Sequence, residues 1–297
     1  MTTELVLTPT ATAPRGLAVH TRGLVHVYRG EGRDVAALAG IDLTVRAGEM
    51  IALLGPSGAG KSTLLSLLAG LFRPTAGTVL VGELDLTAAT QAELDRLHAT
   101  DVSLMLQGAG RNLLPFLTAD QNIAFAQQAA RRIGPGPDAV EDRLPSGPTL
   151  LGMVGLADDG ATPLTHLTPG QLQLVTLAVV LSTGPGLLLA DEPTSRLDHE
   201  ARDRVLAALA KVNRELGTTV VVVTHDRDVA RWMPRTVTIR DGRIGGEGRS
   251  GEEYAVVTAD GFLPLPAHAL ELLPPGTLVR LELEDGEYRI RVEGDQR

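Results

Sequence analysis

Cysteine is absent from the 297 residues, which excludes disulfides and thiolate metal centres. Aromatic residues make up only 3% of the chain, so its core has to be assembled from Leu, Val and Ala. Lysine is scarce as well: of 27 basic residues, only Lys61 and Lys211 are lysines. No apolar run is long enough to cross a bilayer. The nearest, Leu174 to Ala190, is broken by Ser182-Thr-Gly-Pro-Gly186. The start of the chain, Met1 to Pro14, lacks the basic residues and apolar stretch of a secretory signal. A formal net charge of −9 argues against neutralising nucleic-acid phosphates, so no nucleic-acid partner is expected. These absences predict a soluble cytoplasmic chain, or one held at a membrane by a partner.

What is present centres on Gly55-Pro-Ser-Gly-Ala-Gly-Lys-Ser62. It satisfies the phosphate-cradle pattern GxxxxGK[ST]. A strand-like run, Met50 to Leu54, leads in, and a helix-like run, Ser62 to Ala69, leads out. Glycines at 55, 58 and 60 let backbone N–H groups wrap a phosphate, and the helix N-terminus adds partial positive charge. The cradle as a whole comprises Gly55, Pro56, Ser57, Gly58, Ala59, Gly60, Lys61, Ser62 and Thr63. Lys61 is expected to reach the β- and γ-phosphates of a nucleoside triphosphate, and the Ser62 hydroxyl to ligate Mg²⁺. In a chain that uses arginine almost everywhere, a lysine here points to a need for a compact ammonium.

Around the cradle the pattern predicts an α/β chain. Leu17 to Tyr28 alternates as a half-exposed strand, and Ala36 to Val45 reads as a strand pair, together an antiparallel β layer. Strands are expected at Thr78 to Gly82 and Asp101 to Leu106, and helices at Gln91 to His98 and Ala119 to Ile133. Breakers at Gly134-Pro-Gly-Pro137 and Ser146-Gly-Pro148 mark loops in a helical middle third. Leu174 to Leu181 reads as an apolar helix and Glu200 to Leu216 as an amphipathic one. Gly186 to Glu192 and Thr219 to His225 read as strands of a parallel sheet buried on both faces. Val237 to Ile244 reads as a terminal hairpin, and residues 1–16 as a loose tail.

The strand Gly186 to Glu192 ends in two acids. Asp191 would face the magnesium shell, and Glu192 would polarise the attacking water. Pro193-Thr-Ser-Arg-Leu-Asp198 follows directly. From these motifs, residues 17–248 resemble the nucleotide-binding subunit of an ABC transporter, a P-loop NTPase with a mostly parallel core sheet, an antiparallel β layer and a helical subdomain at about 90–180. The resemblance implies that Asp198 contacts a facing subunit and that Gln107 touches Mg²⁺ and senses the membrane partner. It also implies that His225 contacts the γ-phosphate and that Tyr28 stacks on adenine. Leu167-Thr-Pro-Gly-Gln171 stands where the family has LSGGQ. Thr168, Gly170 and Gln171 would clamp ATP bound on the opposite subunit. Pro169 removes a backbone donor from that clamp, and Leu174 and Val179 stand where the family usually has arginines. A slow or asymmetric ATPase is implied, either as a homodimer or beside a different ATPase subunit.

The segment from Gln107 to Ala119 resembles the branch that drives lipoprotein release, macrolide export and the FtsE system. It implies an FtsX-like integral-membrane permease and a place on the inner face of the cell membrane. A soluble ABC-type regulator or DNA-maintenance ATPase is the alternative; a P-loop small-molecule kinase leaves Gln107 and DEPTSRLD unexplained. Residues 251–297 form an expected small β-rich domain: strand, turn and strand over Ala255 to Pro266, a short helix at Ala267 to Leu273, then a hairpin at Thr277 to Val292. This pattern resembles the swapped-hairpin modules of AbrB-type regulators. Its balance of four Arg against ten acids from Glu252 to Arg297, −6, argues against DNA. A dimerising module and a monomeric β cap are both compatible with it.

Overall fold

The computed structural model describes residues 16–30, 34–133, 144–249, 252–257 and, with single interruptions, 261–292. The loose tail expected before Gly16 and the breakers at 134–137 lie outside the described residues. Strands β1 (Val19–Tyr28), β2 (Val35–Val45), β3 (Met50–Leu54), β4 (Ala76–Val81) and β5 (Leu84–Asp85) flank helix α1 (Lys61–Leu68). Then come α2 (Gln91–Arg96), a π-helical turn (Leu97–Asp101), β6 (Val102–Met105), α3 (Ala119–Ile133), α4 (Gly147–Met153) and α5 (Pro169–Leu181). The order continues with β7 (Leu187–Asp191), α6 (His199–Leu216), β8 (Thr219–Thr224), α7 (Arg227–Ala230), β9 (Arg235–Arg240), β10 (Arg243–Arg249) and β11 (Glu252–Ala255). Helix α8 (Ala267–Leu272) and strands β12 (Val279–Glu284) and β13 (Glu287–Val292) close the chain.

The main sheet has the order β11-β10-β9-β3-β8-β7-β6, parallel from β9 to β6 and antiparallel at β10 and β11. A second, antiparallel sheet runs β2-β1-β4-β5. Alternate residues of the main sheet feed two cores. Ala52, Leu188, Ala190, Val220 and Val222 face α5 and α6. Ile51, Leu53, Leu189, Val221 and Val223 face α1 and the antiparallel sheet. Burial on both faces is why β7 and β8 read as unbroken apolar runs. Helix α5 is buried nearly all round, which accounts for its lack of a polar stripe.

Three expectations change. Ala36 to Val45 is one continuous strand, because it bends over β1 through register shifts instead of turning back. Val237 to Ile244 forms the expected hairpin, β9 pairing antiparallel with β10 across Asp241-Gly242, but it is not terminal: β9 also pairs in parallel with β3, and β11 follows beyond β10. Of the strand-turn-strand at Ala255 to Pro266, only the end of β11 is strand among the described residues, and β11 pairs with β10 as the edge of the main sheet. The final hairpin forms as expected, in a two-stranded sheet of its own.

Candidate nucleotide site

The phosphate loop leaves β3 and enters α1 with geometry only glycine supplies. Gly60 has φ 97°, and a Cβ there would lie 2.4 Å from Ala37 O. At Gly55, φ 151°, a Cβ would lie 2.1 Å from Ile239 O. Any side chain at either position would push the loop off β2 or β9. Lys61 Nζ turns back and donates to Gly55 O at 2.7 Å and Pro56 O at 2.8 Å, while Ala59 packs beneath the loop. Burial lowers the Lys61 pKa, and the carboxylates of Glu192 and Asp191 oppose that shift.

A cleft of about 460 Å³ opens over this loop. Ser57, Gly58, Gly60, Lys61, Ser62 and Thr63 form its floor. Tyr28 and Val35 to Ala37 stand on one side, and Gln107, Asp191, Glu192 and His225 on the other. Parallel pairing aligns the C-terminal ends of β3, β7 and β8, so the loop, both acids and His225 gather at one edge of the sheet. Ser62 Oγ donates to Asp191 Oδ1 at 3.4 Å. Burial raises the Asp191 pKa, against the Ser62 hydrogen bond and the positive charges of Lys61 and Arg111. Glu192 has φ 49°, a left-handed conformation rare for a non-glycine residue. Its amide donates to Val223 O at 2.9 Å, and its Oε1 lies 2.7 Å from His225 Nδ1. Gln107 Nε2 donates to Ser195 Oγ at 3.3 Å. Tyr28 OH lies 3.2 Å from Thr63 Oγ1.

Ser62, Asp191 and Gln107 offer oxygen donors of the kind Mg²⁺ takes, with one carboxylate among them. Among the described residues no group of three or more His, Asp or Glu could hold a metal by itself. That donor set fits an ion shared with substrate phosphates and water.

Thr168, Gly170, Gln171 and Asp198 are not brought to this cleft. Thr168 caps α5 in a reciprocal capping box with Gln171, and Pro169 occupies the first helical position. Asp198 caps α6 through Ala201 N at 2.8 Å. The two helix starts are close: a Cβ on Gly170 would lie 2.8 Å from Ala201 Cβ. Leu174 and Val179 are buried. Ser195, His26 and the Val35 to Ala37 wall were missed by sequence reasoning. The wall is ordinary strand sequence, and only its register above Gly60 gives it a role.

The ABC transporter family pattern matches residues 38–195. The chain is 38% identical over 226 residues to the lipoprotein-releasing system ATP-binding protein LolD 1 of Caulobacter vibrioides, covering 76% of this chain and 94% of that protein. It is 37% identical over 281 residues to the methionine import ATP-binding protein MetN of Nocardia farcinica, covering 90% and 81%. The fold matches the ATP-binding cassette MJ0796, solved as a dimer in a post-hydrolysis state bound to ADP and Pi. That match has a TM-score of 0.67 and 31% identity, and covers 78% of this chain and 98% of that one. The chain therefore belongs to the ABC transporter family as an ATP-binding, ATP-hydrolysing subunit.

Proposed function

We propose that this subunit powers an FtsX-like permease from the inner face of the cell membrane, by closing on ATP against a second ATPase subunit. No helix among the described residues is long and apolar enough to cross a membrane. The observation that carries the reading is the split of the site. One chain gathers Tyr28, the phosphate loop, Gln107, Asp191, Glu192 and His225 in one cleft. Thr168, Gly170, Gln171 and Asp198 lie outside it, at two adjoining helix starts that can serve a facing cleft.

ATP is the substrate. Tyr28 takes the adenine face, and the loop amides and Lys61 hold the phosphates. Ser62, Asp191 and Gln107 would hold Mg²⁺, which supplies charge neutralisation at the phosphate oxygens when bound. Glu192 accepts a proton from the attacking water as its oxygen bonds to the γ-phosphorus. The bond from that phosphorus to the β–γ bridging oxygen breaks, giving ADP and phosphate. His225 orients Glu192 through the 2.7 Å contact and faces the γ-phosphate. Pro169 leaves the opposing clamp one N–H short, which makes hydrolysis slow or asymmetric.

The permease branch is supported by the Gln107 to Ala119 segment and by the near-complete overlap with LolD 1. Affinity purification from detergent-solubilised membranes tests it. Recovery of a permease with few spans and a large extracytoplasmic domain is expected; a multi-span import permease would overturn it. That second outcome is favoured by one observation, the 90% coverage in the MetN match, which reaches into the C-terminal stretch.

That stretch supports a further part of the reading. In the β12–β13 hairpin, the pairs Val279–Val292, Leu281–Ile290 and Leu283–Tyr288 place all six apolar side chains on one face. All six are exposed. Arg289 and Arg291 pair with Glu282 and Glu284 on the other face. An isolated two-stranded hairpin is marginal in water. We infer that a second copy of this chain covers the apolar face. The face offers on the order of 600 Å² per copy, near the lower end for a specific interface. The acidic balance of the stretch disfavours an anionic lipid surface. Leu281→Asp in the full chain is expected to turn a nucleotide-free dimer into a monomer by light scattering. A variant that remains dimeric, or a wild type that is monomeric without ATP, would overturn the inference.

A further inference from the structure

We propose that His26 is a positioning residue for the nucleobase, acting through Tyr28. The proposal rests on the reading of Tyr28 as the adenine platform. His26 and Tyr28 stand two residues apart on β1, and their rings meet although the pairing with β2 shifts register between His26 and Val27. The His26 ring meets Tyr28 edge-on, with centroids 4.7 Å apart at 84°. Phe72, just beyond α1, stacks on His26 at 6.0 Å and 15° and approaches Tyr28 at 6.3 Å and 88°. His26 is only 9% exposed, whereas Tyr28 is 41% exposed and lines the cleft.

The platform is thus held at three points. Thr63, in the first turn of α1, holds its hydroxyl. Phe72 comes from the loop that leaves the same helix, and that loop is stitched to β1 by Thr75 N to Val25 O at 2.8 Å and Val27 N to Thr75 Oγ1 at 3.0 Å. His26 fills the space between Phe72 and Tyr28. The base subsite is therefore tied to the helix that carries the phosphate subsite, and the ring waits in place instead of being ordered by each arriving nucleotide.

His26 does this as a ring and not as a polar group. Its Nδ1 is buried without a hydrogen-bond partner, an arrangement that costs stability by itself and so has to be offset by the packing of the ring. Edge-to-face packing requires only an aromatic of suitable width. Phenylalanine should serve at this position, and alanine should not.

Isothermal titration of the full chain with ATP and with tripolyphosphate, which has no base, tests the proposal. His26→Ala should weaken ATP binding about two- to tenfold and leave tripolyphosphate binding unchanged. KM for ATP should rise by the same factor at constant kcat. His26→Phe should restore wild-type ATP affinity. Unchanged ATP affinity in His26→Ala, equal weakening toward both ligands, or failure of His26→Phe to restore affinity would each overturn it. Tyr28→Ala separates the two layers of the argument. If it leaves ATP affinity intact, the platform reading fails as well; if it weakens ATP while His26→Ala does not, only the role of His26 fails.

Discussion

His225 Nδ1 lies 2.7 Å from Glu192 Oε1, joining the ends of the neighbouring parallel strands β7 and β8. Glu192 is largely buried, with 12% of its side chain exposed, while His225 is 64% exposed. The histidine therefore reaches the carboxylate from the open side of the cleft. With Thr224 Oγ1 3.5 Å from the second carboxylate oxygen, Glu192 is anchored from one strand while it projects from another. Removing its proton-accepting capacity should block chemistry without disturbing binding. Glu192→Gln is expected to lower kcat at least 100-fold and to hold an ATP-bound dimer on size exclusion. Normal turnover by this variant would remove Glu192 from the chemistry.

Lys61 donates to two loop carbonyls and sits beside both acids. Lys61→Ala deletes the only side-chain cation in the floor of the cleft. ATP affinity should fall by at least an order of magnitude, measured by titration with ATP. AMP, which lacks the β- and γ-phosphates, should lose far less.

Asp191 makes a prediction about stability. Burial raises its folded pKa, so ionising this carboxyl costs more in the nucleotide-free fold than in the unfolded chain. Its contribution is favourable at low pH and is lost as pH rises through the ordinary carboxylate range toward the raised folded value. At neutral pH the ionised group is a net cost in the free protein. Asp191→Asn should therefore raise the melting temperature at pH 7.5 by on the order of 2 °C, with the gain vanishing in acid. Mg²⁺-dependent hydrolysis should be lost. Melting curves across pH check the sign: a variant less stable than wild type at pH 7.5 contradicts it.

Pro169 occupies the first position of α5, where its ring is tolerated but no N–H is available. Pro169→Gly adds one donor at a helix N-terminus that can face the γ-phosphate of a second cleft. Hydrolysis should rise several-fold if the two subunits are copies of this chain. An unchanged rate in the purified homodimer would show that the missing donor does not limit turnover.

Most of the nucleotide cleft was legible before any coordinates. The phosphate loop, Asp191 and Glu192 form local patterns whose chemistry depends on residue type and short spacing. Parallel strands end at one sheet edge, so the order of motifs was enough to predict their meeting. The Thr168 segment was equally legible as a helix start, since capping is local. The sheet order was not. Nothing between Val237 and Ile244 reveals that β9 inserts beside β3 while β10 lies between β9 and the edge strand β11, because pairing partners are chosen by long-range burial.

Sequence alone determined the class of chemistry we propose: glycine conformations, a lysine, two acids and a histidine are its expected carriers, and these are properties of single residues. Tertiary structure alone decided how the parts cooperate. It put Thr63 under Tyr28, Phe72 behind His26, and the cap residues of α5 and α6 outside the cleft. Those relations join residues far apart in the chain, and only the packing of one sheet on another brings them within reach.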